Sequence, residues 1–336
     1  MAPPGIRIFL THSAAARDTW YGERALAALR RVGEVVLNPL DRAMSAEELI
    51  AAARDCPLIV SDREAAGGPE VFAGLPHLVA YVRGQVDIRA VDVDAASAAG
   101  VLVTQASRGF MAAVAEWILG AMLMAARHSL AYCESYRRGE EPGFIVGRQL
   151  SGTAIGVIGF GAIGEHLSKA AQALGMRVLV YDPYKPVPAP FEQVELATLL
   201  NRSDYVVPLA VATEETENLI DAAALAAMKP TAWLINASRG NLVDEAALER
   251  ALDARAIAGA ALDVGRAPDQ KPPLSLARRP DVIASPHIAG LTPEALDHQA
   301  LETARQAAAI IRGEIPEGAV NAERAARLAA FRHSLV

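Results

Sequence analysis

The chain alternates short apolar runs with longer stretches whose apolar residues recur at helical spacing. Residues 6–10, 34–37, 58–61 and 78–82 are such runs, rich in Val, Ile and Leu. Runs of this length predict strands covered on both faces, as in a parallel sheet. Residues 20–31 and 46–54 lie between them and predict helices. The second opens on Ser45 with Glu48 three residues on, the reciprocal pairing of a capping box. A long helix over 111–138 follows, then a polar, glycine-containing stretch over 139–149. A second alternation predicts strands at 154–158, 177–181, 205–209, 232–236, 258–263 and 282–285. Helices over 162–174, 221–228 and 244–254 separate them, with Pro230 stopping the second. Residues 293–312 read as helix again, and a tail with a short Ala- and Arg-rich helix ends the chain.

Two such alternations predict an α/β protein of two doubly wound parallel-sheet domains. The boundaries place 1–108 and 293–336 in one flavodoxin-like domain and 109–292 in a second domain inserted into it. A length of 336 residues suffices for both. The formal net charge of −7 leaves no basic surface for nucleic acid or an anionic membrane. An anionic ligand must therefore be drawn by local charges. The longest apolar run, 117–126, is too short to cross a bilayer and suits a buried or interface helix. Cys56 and Cys133 lie far apart without metal-ligand spacing. With no secretion-signal pattern at the start, a reducing, cytoplasmic setting is expected.

Gly156-Val157-Ile158-Gly159-Phe160-Gly161-Ala162-Ile163-Gly164 carries most of the functional information. It joins a predicted strand to a predicted helix, and Asp182 ends the next strand eighteen positions after the last glycine. In a βαβ unit, Gly159 would serve the tight turn, Gly161 the approach of a pyrophosphate, and Gly164 close helix–strand packing. The helix start would offer its N–H groups, those of Ala162 and Ile163 among them, to the phosphates. Asp182 can accept hydrogen bonds from both ribose hydroxyls and would repel a 2′-phosphate. NAD is favoured over NADP, and this domain is expected to be a Rossmann domain.

Three further strands end at polar residues: Asn236-Ala237-Ser238-Arg239-Gly240, Leu262-Asp263-Val264 and Ser285-Pro286-His287-Ile288-Ala289-Gly290. Ligands of open parallel sheets lie at the carboxyl ends of strands, so Arg239, Asp263 and His287 are candidates by position. With these segments the chain resembles the D-isomer-specific 2-hydroxyacid dehydrogenases, the family of D-lactate, glycerate and 3-phosphoglycerate dehydrogenases, from about 78 to 321. The resemblance implies that Arg239 grips the carboxylate and reacting carbonyl of a small 2-keto acid, a task suited to a guanidinium fork. It implies that His287 is the acid in reduction and the base in oxidation. Asp263 would hold the nicotinamide or its ribose, and Ala237, Ser238 and Ala289 would line the cofactor. It further implies a homodimer, built through the nucleotide-binding domain and the helix before it.

The chain departs from the family pattern at three places. The Glu that normally partners the imidazole is replaced by Pro268, which makes Asp269, one residue on, the candidate partner of His287. A carboxylate there would favour the imidazolium. The substrate-side turn reads Arg83-Gly84-Gln85-Val86-Asp87-Ile88-Arg89, with a single Gly. Arg83, Gly84 and Val86 are its expected substrate contacts, and Arg89 and Arg108 are further candidate cations. Leu209 stands where the family often has a His near the cofactor. A second reading, an NAD(H)-sensing corepressor-like protein on the same scaffold, binds the cofactor without consuming it.

Overall fold

The computed structural model describes residues 5–107 and 109–334; Arg108 lies outside them. The chain divides into two compact units, Met1–Gly109 with Pro293–Val336, and Phe110–Thr292.

The first unit holds five parallel strands: β1 (Arg7–Leu10), β2 (Glu34–Leu37), β3 (Leu58–Ser61), β4 (Ala80–Arg83) and β5 (Leu102–Thr104), in the order β2-β1-β3-β4-β5. This is the flavodoxin-like order. Alternate residues feed two apolar layers. Ile8, Leu10, Leu58, Val60 and Val82 pack with Leu26, Leu29, Ala307 and Ile310 on one face. Phe9, Ile59, Tyr81 and Val103 pack with Leu49, Val71 and Phe72 on the other. Burial on both faces is why the strands read as unbroken apolar runs. The C-terminal segment is stitched in by buried Asn321, whose Oδ1 accepts from Val103 N and whose Nδ2 donates to Val101 O and Ser97 Oγ.

The second unit holds seven parallel strands: β6 (Ala154–Ile158), β7 (Arg177–Tyr181), β8 (Glu192–Gln193), β9 (Tyr205–Pro208), β10 (Trp233–Asn236), β11 (Gly259–Leu262) and β12 (Val282–Ala284). Their order is β12-β11-β10-β9-β6-β7-β8. One layer joins Ile155, Val157, Val180, Val207 and Ile235 to Ile118, Met122 and Leu167. The other joins Leu179, Val206, Leu234 and Leu262 to Leu199, Leu225 and Leu248. The fold is thus the expected pair of parallel-sheet α/β domains. The capping box at Ser45 and Glu48 is formed, and Asp221 and Asp244 cap the helices that follow them.

Two predicted helices are broken. The one expected over 111–138 is two, Met111–Arg127 and Ser129–Arg137, because His128 adopts a left-handed φ of 53°. The one expected over 20–31 is a π-helical turn, Arg17–Tyr21, and a helix, Glu23–Arg30, separated by Gly22 at φ 79°. No helix among the described residues is long and apolar enough to cross a membrane.

Candidate active site

In the second unit, β6 sends its chain to β7 on one side and has β9 on the other. A ligand crevice opens at such a reversal. The three glycines meet it for different reasons. Gly159 has φ 98°, and a Cβ there would stand 2.8 Å from Ala210 N. At Gly161 a Cβ would meet nothing within 4 Å, so the surface in front of it is open. At Gly164 a Cβ would collide with the Gly159 carbonyl oxygen, so this glycine lets helix Ala162–Ala173 sit on the strand. That helix starts without a side-chain cap. Its first-turn N–H groups, Ala162 and Ile163 included, have no partner within the helix, and a helix start of this kind favours an anion.

Asp182 lies at the end of β7, half-buried. Its Oδ2 accepts from Phe160 N at 2.7 Å, and its Oδ1 accepts from Tyr184 N and Lys185 N at 3.0 and 2.9 Å. Burial pushes its pKa up, but these N–H groups and the Lys185 charge outweigh that and hold it below the usual carboxylate range. The anion therefore ties the glycine loop to the turn after β7.

The turn after β10 is fastened by Asn236, which is 1% exposed. Its Nδ2 donates to Arg239 O, and its Oδ1 accepts from Ser238 N. Ala237 is thereby buried, and Arg239 is exposed, with Nη1 donating to Ser238 O at 2.7 Å. After β11, Asp263 is also 1% exposed. Its Oδ1 accepts from Ser285 Oγ at 2.6 Å and Ile288 N at 2.8 Å, and its Oδ2 from Ala289 N at 2.9 Å. Its carbonyl accepts from His287 N at 2.8 Å. One buried carboxylate thus holds the whole turn 285–289, and His287 at its tip takes a left-handed φ of 60°. Ala289 is buried by the same bonds.

Residues 119–289 match the model of the D-isomer-specific 2-hydroxyacid dehydrogenase NAD-binding domain. The chain belongs to the D-isomer-specific 2-hydroxyacid dehydrogenase family. It is 33% identical to glyoxylate reductase of Thermofilum pendens over 90% of this chain and 92% of that one. It is 34% identical to D-3-phosphoglycerate dehydrogenase of Methanocaldococcus jannaschii over 89% of this chain and 57% of that longer one. The chain therefore spans little more than half the length of that relative. Among solved structures, D-lactate dehydrogenase with NAD+ from Lactobacillus jensenii superposes with a TM-score of 0.80 at 25% identity, covering 94% and 99% of the two chains. This is a family of NAD-dependent oxidoreductases, and the cofactor is NAD.

Against that family pattern, three sequence expectations need correction. Asp269 does not pair with His287. Its carboxylate is exposed and turns to Lys271, accepting from the backbone N–H at 3.2 Å and lying 3.2 Å from Nζ. Those two groups hold its pKa below the usual range. The chain reverses at 265–270, where Gly265 N bonds Gln270 O, and this turn directs the short side chain to its own neighbour. Nor is Asp263 open to the nicotinamide, since its carboxylate is 1% exposed and turned into the 285–289 turn, whereas that of Asp182 is only half-buried. Leu209 is partly buried against the apolar layer and adds no polar group.

The third correction is Arg83, in the first unit. It is 2% exposed, and its guanidinium donates to the carbonyls of Asp62, Arg63 and Asp87. Burial lowers its pKa. Its guanidinium is engaged by these carbonyls and clamps the loop that follows β4, rather than standing open for a carboxylate. In that loop Gly84 N bonds Ser61 O at 2.9 Å, while the N–H groups of Gln85 and Val86 have no acceptor among the described residues. Arg89 pairs with Asp87 in an exposed bridge of 2.6 Å. Asn236 and Ser285 were not singled out from sequence. Only their places, at a strand end and two residues before His287, hint at their work.

Proposed function

We propose that the protein transfers hydride between NAD(H) and a small 2-hydroxy or 2-keto acid in the cytoplasm. When bound, NADH would supply the hydride for C2 of the keto acid, whose C2 oxygen would take a proton, giving NAD+ and the D-2-hydroxy acid. Arg239 holds the carboxylate and polarises the C2 carbonyl. His287 gives the proton to the oxygen, and takes it back in oxidation. In the first unit, the N–H groups of Gln85 and Val86 beside Gly84 are the donors offered to the acid's carboxylate. Gly159, Gly161, Gly164, Ala162 and Ile163 receive the pyrophosphate, and Asp182 the adenosine ribose. The observation that carries this reading is the lock of Asp263 on the 285–289 turn, which presents His287 at a fixed strand end.

The test is NADH oxidation with glyoxylate, pyruvate, hydroxypyruvate and oxaloacetate, for the wild type, Arg239→Gln and His287→Asn. Asn tolerates the left-handed backbone, so His287→Asn removes the proton donor and keeps the turn. Turnover is expected to fall by about 10²–10⁴-fold with NADH affinity kept. NADH binding without consumption of any acid by the wild type would instead indicate a sensor.

We also infer that two copies associate through the second unit. The extended segment after helix Ser129–Arg137 exposes Phe144, Ile145 and Val146, and helix Met111–Arg127 exposes Leu123 and Met124. Exposed apolar side chains of this size are characteristic of an interface. Light scattering should give a dimer for the wild type and a monomer for a Phe144→Ser, Val146→Ser double variant.

A further inference from the structure

His12 has no part in the chemistry above, yet its surroundings are those of a binding group. It follows β1, and the first sheet reverses its strand order between β1 and β3, the place where an open α/β sheet takes a ligand. The side chain is 5% exposed. Its Nδ1 is buried and has no hydrogen-bond partner among the described residues. Its Nε2 is not so enclosed. The ring packs against Tyr21 with centroids 4.8 Å apart, and Tyr21 Oη bonds Thr303 Oγ1 at 2.8 Å. The Thr303 methyl in turn comes within 3.5 Å of where a Cβ on Gly84 would be. His12, Tyr21 and Thr303 therefore form a wall leading to the loop whose Gln85 and Val86 N–H groups await an acceptor.

The protonation state follows from this placement. Burial pushes the imidazole down to about 4, Asp62 pulls it back, and Arg17 and Arg83 push it further down. The ring is neutral at physiological pH and carries one N–H. A buried N–H without an acceptor is among the rarest arrangements in proteins. The proton therefore resides on Nε2, the nitrogen that reaches solvent, and Nδ1 stays bare. What faces outward is a donor on a rigid, stacked ring. Arg17 donates to His12 O at 2.9 Å, and the Asp62 carboxylate acts on the ring more strongly than Arg17 does.

We propose that His12 is a substrate-specificity residue whose Nε2–H donates to an oxygen on the C3 substituent of the 2-keto acid, favouring hydroxyl- or carboxylate-bearing substrates over alkyl ones. This rests on the 2-keto acid reading above. A site built around a donor rejects a substrate lacking the acceptor far more strongly than an apolar pocket rejects an added hydroxyl.

The test compares wild type with His12→Phe, which keeps the ring stacked on Tyr21 and removes both nitrogens. With hydroxypyruvate and oxaloacetate, kcat/KM should fall about 10- to 100-fold. With glyoxylate, which has no C3, and with pyruvate, it should stay within about 2-fold, and Tm should not fall. A uniform loss across all four acids would make His12 a packing residue and overturn the proposal. Nitrogen-detected NMR of the histidine rings supplies a readout that needs no turnover. The Nε2–H tautomer is expected, with a shift at His12 when oxaloacetate is added. An Nδ1–H tautomer, or no shift, would overturn the proposal. A shift without turnover in the wild type would strike the dehydrogenase reading alone.

Discussion

The two sheets reverse strand order in the same way, between β1 and β3 in one and between β6 and β9 in the other, yet finish their carboxyl edges with different material. The β6 edge is made of backbone: three glycines, a helix start with unpartnered N–H groups, and a carboxylate, Asp182, held by three amides. The β1 edge is made of side chains: Thr11 and Asp62 bonded to each other, His12 stacked on Tyr21, and Arg83 clamped on three carbonyls. A dinucleotide presents the same phosphates to every protein, so bare backbone suffices to hold it. A small acid is told from its neighbours by single donors, and that takes side chains placed one at a time.

The largest effect that would sharpen this contrast concerns Asp263. Asp263→Asn leaves an amide where three donors converge, so part of the buried set loses its acceptor. Stability should fall by about 2–3 kcal/mol, and kcat by about 10²-fold, with NADH affinity nearly unchanged. A titration of NADH fluorescence checks it. A tenfold weaker NADH complex with stability intact would return Asp263 to the nicotinamide.

Next come the glycines. Gly164→Ala should lower Tm by several degrees, because its methyl group meets the Gly159 carbonyl. Gly161→Ala should leave Tm unchanged and weaken NADH binding by about 10-fold, the methyl standing in open space where the pyrophosphate approaches. Equal behaviour of the two variants would erase the division of labour within the loop.

The side-chain edge makes its own prediction through His12. An unfolded imidazole titrates near 6.5, the folded one near about 4 because of burial. Above pH 6.5 neither state takes a proton at this site. Between those values only the unfolded chain does, so stability is lost as pH falls through that window. Urea titrations of wild type and His12→Phe should diverge below pH 6.5, by roughly 3 kcal/mol near pH 4. The smallest effect is expected for Asp269→Asn. An exposed carboxylate paired, among the described residues, with Lys271 alone should change kcat/KM by less than about 2-fold. A loss above tenfold, greatest at neutral pH, would place Asp269 beside the imidazole after all.

The same contrast explains what the sequence disclosed. Backbone demands leave compositional marks: three glycines at fixed spacing, a strand before them and an acid after them, with Ser45 and Glu48 three apart. Both sheets and the cofactor were legible from such marks. Arg83 was not, because nothing local says whether a cation at a strand end meets solvent or three carbonyls from 62, 63 and 87. Asp263 and Asp269 look alike in sequence, and only the turn at 265–270 sends one inward and the other to Lys271. The break at His128 has no glycine or proline to announce it. His12 became visible only through one ring nitrogen left without a partner.

The left-handed backbone of His287 bears on how the protein can vary. In a survey of all nineteen alternatives at this position, folded yield alone would place Gly and Asn beside His, and Val and Ile last, because the turn, not the imidazole, sets that ranking. With His287 as the proposed acid and base, ranking by turnover would keep His alone. A lineage that lost the need for catalysis would therefore drift at 287 toward Gly or Asn with its architecture intact, and the residue found there would record which of the two demands had been relaxed.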